Sequence, residues 1–86
     1  MTSNDLISVV SIFTAGITVA IGGIGPALGE GRALAQALDA IARQPDSSDA
    51  ITRTLFVGMA MVESTAIYAL VVALILLFAN PFVVTP

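Results

Sequence analysis

The stretch Met59-Ala-Met-Val-Glu-Ser-Thr-Ala-Ile-Tyr68 sets one carboxylate, Glu63, in the middle of a long apolar run. From Leu55 to Ala79 no other side chain ionises below the high pKa of tyrosine. About 25 residues rising 1.5 Å each are enough to cross a bilayer core of about 30 Å with some tilt. A charged, unpaired carboxylate in hydrocarbon costs several kcal/mol, so Glu63 needs a proton, a partner or a bound cation. The plainer alternative is a buried helix of a soluble domain with one satisfied acid. An acid that is neutral in lipid and ionises elsewhere is a carrier for an ion, and that is the function the stretch predicts.

Composition supports the membrane reading. The chain has 86 residues, of which 57% are hydrophobic, and its mean hydropathy is +1.00. A soluble chain of this size buries only about 60% of its surface, so lipid or further copies must cover these side chains. Cys, His, Lys and Trp are absent, which removes disulfides, thiolate metal sites, the usual general base and the phosphate-loop lysine. A net charge of −3 with three arginines argues against nucleic acid as a partner.

Outward from Glu63 the second helix is expected over about 49–79, ending before Asn80-Pro81, where proline cannot continue the ladder. Arg43-Gln44-Pro45 followed by Asp46-Ser47-Ser48-Asp49 reads as a polar turn over about 43–48 with a new N-cap at its end. Before it, Leu6–Leu28 carries no charge, and helix-compatible residues continue to Ile41, giving a first helix over about 5–42. Met1–Asp5 has no basic residue, the wrong flank for a secretory signal, so this segment is expected to stay in the mature protein. The predicted fold is an all-α membrane protein, one helical hairpin spanning 1–86. A first helix about 55 Å long outreaches the bilayer, so the turn should stand on a stalk. Arg32, Arg43 and Arg53 all lie in or near the turn, which predicts a cytoplasmic turn and both termini on the other side.

Gly22-Gly23-Ile24-Gly25-Pro26-Ala27-Leu28-Gly29-Glu30-Gly31 contains no fitting G-x-G-x-x-G. On a helix its small residues form two stripes, Gly23-Ala27-Gly31-Ala35 and Gly25-Gly29-Ala33-Ala37. Each is a ridge along which membrane helices approach closely, and two ridges on opposite sides suit a head-to-tail contact that closes into a ring. Pro26 is expected to kink this helix. Counted from a turn centred near residue 47, Glu30 and Glu63 lie at matching depth and can face each other. Ser64 and Tyr68, four apart, are placed on a side next to Glu63, while Thr65 points further round.

These residues resemble the c subunit of the rotary F-type ATP synthases, the proteolipid of the rotor ring, over nearly the whole chain. The glycine repeat is present as Gly23, Gly25, Ala27, Gly29 and Gly31, with Ala27 replacing a glycine. The polar-turn motif is Arg43-Gln44-Pro45, and the ion-binding carboxylate matches Glu63. Glu30 four residues after Pro26, with Glu63-Ser64, is similar to the sodium-type signature, and Glu30 with Arg32 resembles the divergent N-type group. The resemblance implies a non-catalytic rotor subunit in a closed ring of identical copies in a bacterial inner membrane, with lipid around it. Each Glu63 would carry an ion past the stator's a subunit, and the turn would contact the central stalk subunits gamma and epsilon. No cofactor is implied beyond the coupling ion. That ion is expected to be a proton, because two carboxylates at one depth in low dielectric cannot readily both be charged. The alternative is sodium held by Glu63, Glu30 and Ser64. Rival classes are a small transporter using Glu63 for exchange and a pore-forming peptide, and two helices are few for a transporter.

Overall fold

A computed structural model describes residues 2–84 as two antiparallel helices. Helix α1 spans Ser3–Arg43 and helix α2 spans Ser48–Phe78, joined by Gln44 and a single 3₁₀ turn, Pro45–Ser47. Helix α1 starts earlier than the expected residue 5 because Thr2 caps it. The Thr2 hydroxyl accepts from the Asp5 amide at 3.1 Å, and the Asp5 carboxylate accepts from the Thr2 amide at 3.2 Å. This reciprocal pair satisfies two of the orphan donors at a helix start.

The helix continues through Pro26 and closes where the Gln44 amide donates to the Ala40 carbonyl at 2.8 Å. Pro45, with its φ preset, opens the 3₁₀ turn, and the Ser47 amide donates to the Gln44 carbonyl at 3.0 Å. The turn runs straight into α2, so the cap position is Ser47 rather than a residue next to Asp49, and no side chain bonds there. Backbone bonds alone make the tip.

The two helices meet along a seam of small residues. Ala15, Ala37 and Ala73 are the buried core, at 2%, 8% and 1% exposure. Ser11, Thr18 and Gly22 on α1, and Ala66, Ala69 and Leu76 on α2, are half-buried beside them. Spacings of three and four carry the seam along each helix. The closest approach is at Gly22, where a Cβ would stand 2.7 Å from the Cβ of Ala69. Only a residue without a side chain fits there.

The open end of the hairpin is laced by side chains. Asn80 Nδ2 donates to Ser11 Oγ at 2.7 Å, and Asn80 Oδ1 accepts from the Phe82 amide at 2.9 Å. The Val84 amide donates to Asn4 Oδ1 at 2.9 Å. Covalent turn at one end and polar lacing at the other fix the register of the helices, and thus the depth at which residues of α1 and α2 face each other.

The molecule measures 64 × 16 × 10 Å, one helix thick and two wide. Both helices are long and apolar enough to cross a membrane. Large apolar side chains cover the outside: Phe13 is 68% exposed, Met61 71% and Phe78 82%. Such a surface is stable only against lipid or other protein.

Candidate ion-binding site

Glu30 sits on α1 four residues after Pro26, and Glu63 sits on α2 at the same depth. Their carboxyl groups meet across the hairpin, close enough for one to donate a proton to the other in a hydrogen bond. Glu30 is half-buried and Glu63 is exposed. Rotation along each helix accounts for the contact. Counting about 100° per residue from the seam, Glu30 turns about 70° and Glu63 about 80° away from it. In antiparallel helices these turns point to the same flank. The acid pair therefore lies on one side of the flat hairpin, facing outward.

Of the two hydroxyls expected near Glu63, that of Ser64 bonds within its own helix. Ser64 Oγ donates to the Ala60 carbonyl one turn back, at 3.0 Å, the usual way a hydroxyl satisfies itself in an apolar helix. Tyr68 is 69% exposed, and five residues on from Glu63 it lies about 140° round the helix. Among the described residues neither hydroxyl makes a hydrogen bond to Glu63. Among the same residues no three carboxylate, imidazole or thiol groups converge as a metal cluster.

Beside the acids the helices part around a groove of about 230 Å³, lined by Gly29, Glu30 and Ala33 on α1 and by Thr54, Gly58 and Met59 on α2. A Cβ placed on Gly23, Gly25, Gly29 or Gly31 would meet nothing within 4 Å. Ala27 is exposed as well. Gly25, Ala27, Gly29 and Gly31 are thus exposed and Gly23 half-buried, and none of the five is buried in the seam. The second stripe does not stay on the outside, however. Its later members, Ala33 and Ala37, turn into the seam, and Ala37 is buried there. Four residues advance about 400°, so a straight stripe drifts about 40° per step.

Gly22 and Ala69 were not among the residues singled out in the sequence, yet they hold the helices closest together. Their signal is the seven-residue step from Ala15 to Gly22, matched by Ala66, Ala69 and Ala73 on α2.

At the tip, Arg43 pairs with Asp39 at 3.1 Å, with both side chains largely in solvent. Gln44 and Pro45 are exposed. Arg32 is exposed on α1, and the one ion pair among the described residues is that of Arg43 with Asp39.

Two membrane-length helices that bring one carboxyl pair together partway along define an integral membrane protein built around an ion-accepting acid. Comparison with known proteins narrows the class. Residues 13–76 match the family model of the ATP synthase C subunit. The chain is similar to ATP synthase c subunit 2 of Cereibacter sphaeroides (strain ATCC 17029 / ATH 2.4.9), with 59% identity over 78 residues, covering 91% of this chain and 94% of the relative. The chain belongs to the ATP synthase c-subunit family. It is a rotor subunit of an F-type ATP synthase, an ion-translocating and non-catalytic part that works as a ring of identical copies in the membrane.

Proposed function

We propose that Glu63 is the ion carrier and that the ion is a proton. The observation that carries this reading is the contact of Glu63 with Glu30 partway along two largely apolar helices. Two ionised carboxylates at hydrogen-bond distance repel strongly in low dielectric, and one proton between them removes both the repulsion and much of the desolvation cost. Adding a sodium ion to two charged acids leaves a net negative site in hydrocarbon. Each copy would take up a proton on Glu63, travel around the ring in lipid, and release it beside the stator's a subunit. Charge loss and gain at Glu63 then couple rotation to ATP synthesis or hydrolysis elsewhere in the complex.

The open glycine faces, Gly23, Gly25, Ala27, Gly29 and Gly31, are the surfaces on which neighbouring copies would seat. Arg43, Gln44 and Pro45 would meet the central stalk subunits gamma and epsilon. All three arginines lie toward the turn end, which supports a cytoplasmic turn, outward termini and a bacterial inner membrane as the location.

Carbodiimide modification of the purified ring tests the ion. The reagent attacks protonated carboxyls, so labelling of Glu63 should fall as pH rises and be indifferent to millimolar sodium at fixed pH. Protection by sodium at neutral pH would replace the proton with sodium.

A further inference from the structure

The charges near the acid pair do not balance within one chain. Asp39 is taken by Arg43. Asp46, Asp49 and Arg53 belong to the turn and the first turns of α2. Glu30 and Glu63 hold each other. Among the described residues that leaves Arg32, exposed on α1 only two residues from Glu30, without a carboxylate. A guanidinium does not lose its proton, so this charge needs a counter-ion.

Geometry says where one lies. Glu30 turns about 70° from the seam to one flank of the hairpin, and Arg32, two residues on, turns about 90° to the opposite flank. Contact between the two inside one chain is ruled out by this rotation. In a head-to-tail ring, however, one flank of each copy faces the other flank of the next. Cyclic symmetry keeps all copies at one height, so a neighbour's Arg32 lies about 3 Å along the axis from Glu30. Helices packed through small residues stand about 8 Å apart, within the reach of an arginine side chain. The open glycines Gly25 on the Arg32 flank and Gly23 on the Glu30 flank permit that approach.

We propose that Arg32 of each copy completes the ion site of the next, its guanidinium clamping the Glu30 carboxylate across the contact between copies. The clamp rests on reading Glu30 and Glu63 as the ion site, and it divides their labour. Held by a fixed positive charge, Glu30 stays ionised and accepts the hydrogen bond from protonated Glu63, so only Glu63 exchanges. A bidentate fork also occupies the Glu30 oxygens that a sodium cage would need. The loaded site of Arg32, Glu30 and protonated Glu63 is then neutral.

Arg32 acts here as a positioning residue, and the test reads Glu30 directly. Carbodiimide-treated wild-type rings should carry one adduct per chain, at Glu63. Rings of Arg32→Gln should carry a second, at Glu30, because an unclamped Glu30 takes up a proton; Arg32→Lys should restore the single adduct. Equal Glu30 labelling in wild type and Arg32→Gln overturns the clamp. A second measurement stands even where Arg32→Gln fails to assemble or Glu63 goes unlabelled, an outcome that counts against the carrier reading. Because the chain has no cysteine, Glu30→Cys and Arg32→Cys can be introduced together and treated with a thiol cross-linker of arginine length. A ladder of covalent dimers, trimers and larger species is expected, and monomer alone overturns the proposal.

Discussion

At the scale of single residues, Glu63 was legible because nothing around it competes. One acid among about 25 apolar neighbours is conspicuous, and counting back from the turn finds Glu30 at the same depth. The hydroxyls were less legible. Ser64 and Tyr68 share a side, but a step of one residue turns about 100°, so Ser64 falls well round the helix from Glu63. Its hydrogen goes to the backbone carbonyl one turn back, that of Ala60. Replacing Glu63 by Gln keeps the shape and hydrogen-bonding capacity of the side chain while removing its ability to ionise. Glu63→Gln is expected to assemble at normal yield and to lose ion-coupled ATP synthesis and pumping entirely. Retained coupling in that variant, measured in reconstituted vesicles, would remove Glu63 from the carrier role.

Between elements, the hairpin itself was readable from polarity: two apolar runs, a polar turn, prolines at the breaks. The seam was not, because alanine and glycine carry no hydrophobic signal that distinguishes an inner from an outer face in a chain that is apolar all round. The glycines that attract the eye, Gly23, Gly25, Gly29 and Gly31, face outward, whereas Gly22 holds the helices together. The two kinds should fail differently. Gly22→Val drives a branched side chain into Ala69, and overpacking of this kind costs about 1–3 kcal/mol. Its expected effect is loss of the folded hairpin, seen as low recovery of chain at every assembly size. Gly25→Leu leaves the hairpin intact and should lower the yield of closed rings in native mass spectra. Identical behaviour of the two variants would mean that seam and outer face are not separate surfaces.

For the molecule as a whole, length decides what the turn can touch. A 64 Å hairpin exceeds a bilayer core of about 30 Å by far, so one end projects well past the lipid. The tip consists of Arg43, Gln44 and Pro45, all exposed, with backbone bonds forming the turn and Asp39 pairing with Arg43. A cysteine at Gln44 in the intact complex is expected to cross-link to a central stalk subunit. Absence of any cross-link there would leave the tip as a solvated turn.

The near absence of a core has a consequence for mixtures. Among the described residues only three alanines are buried in the lone hairpin, so a copy is completed by its neighbours and a ring is a shared structure. On the proposed mechanism every copy passes the stator in turn, so a single defective one halts the whole wheel. When sound and defective chains are drawn at random from one pool, the working fraction is the sound fraction raised to the power of the copy number. A minority allele with an intact packing surface and a dead carboxylate is therefore far more harmful than one that cannot assemble. Genetic dominance, in this protein, belongs to the variants that fold best.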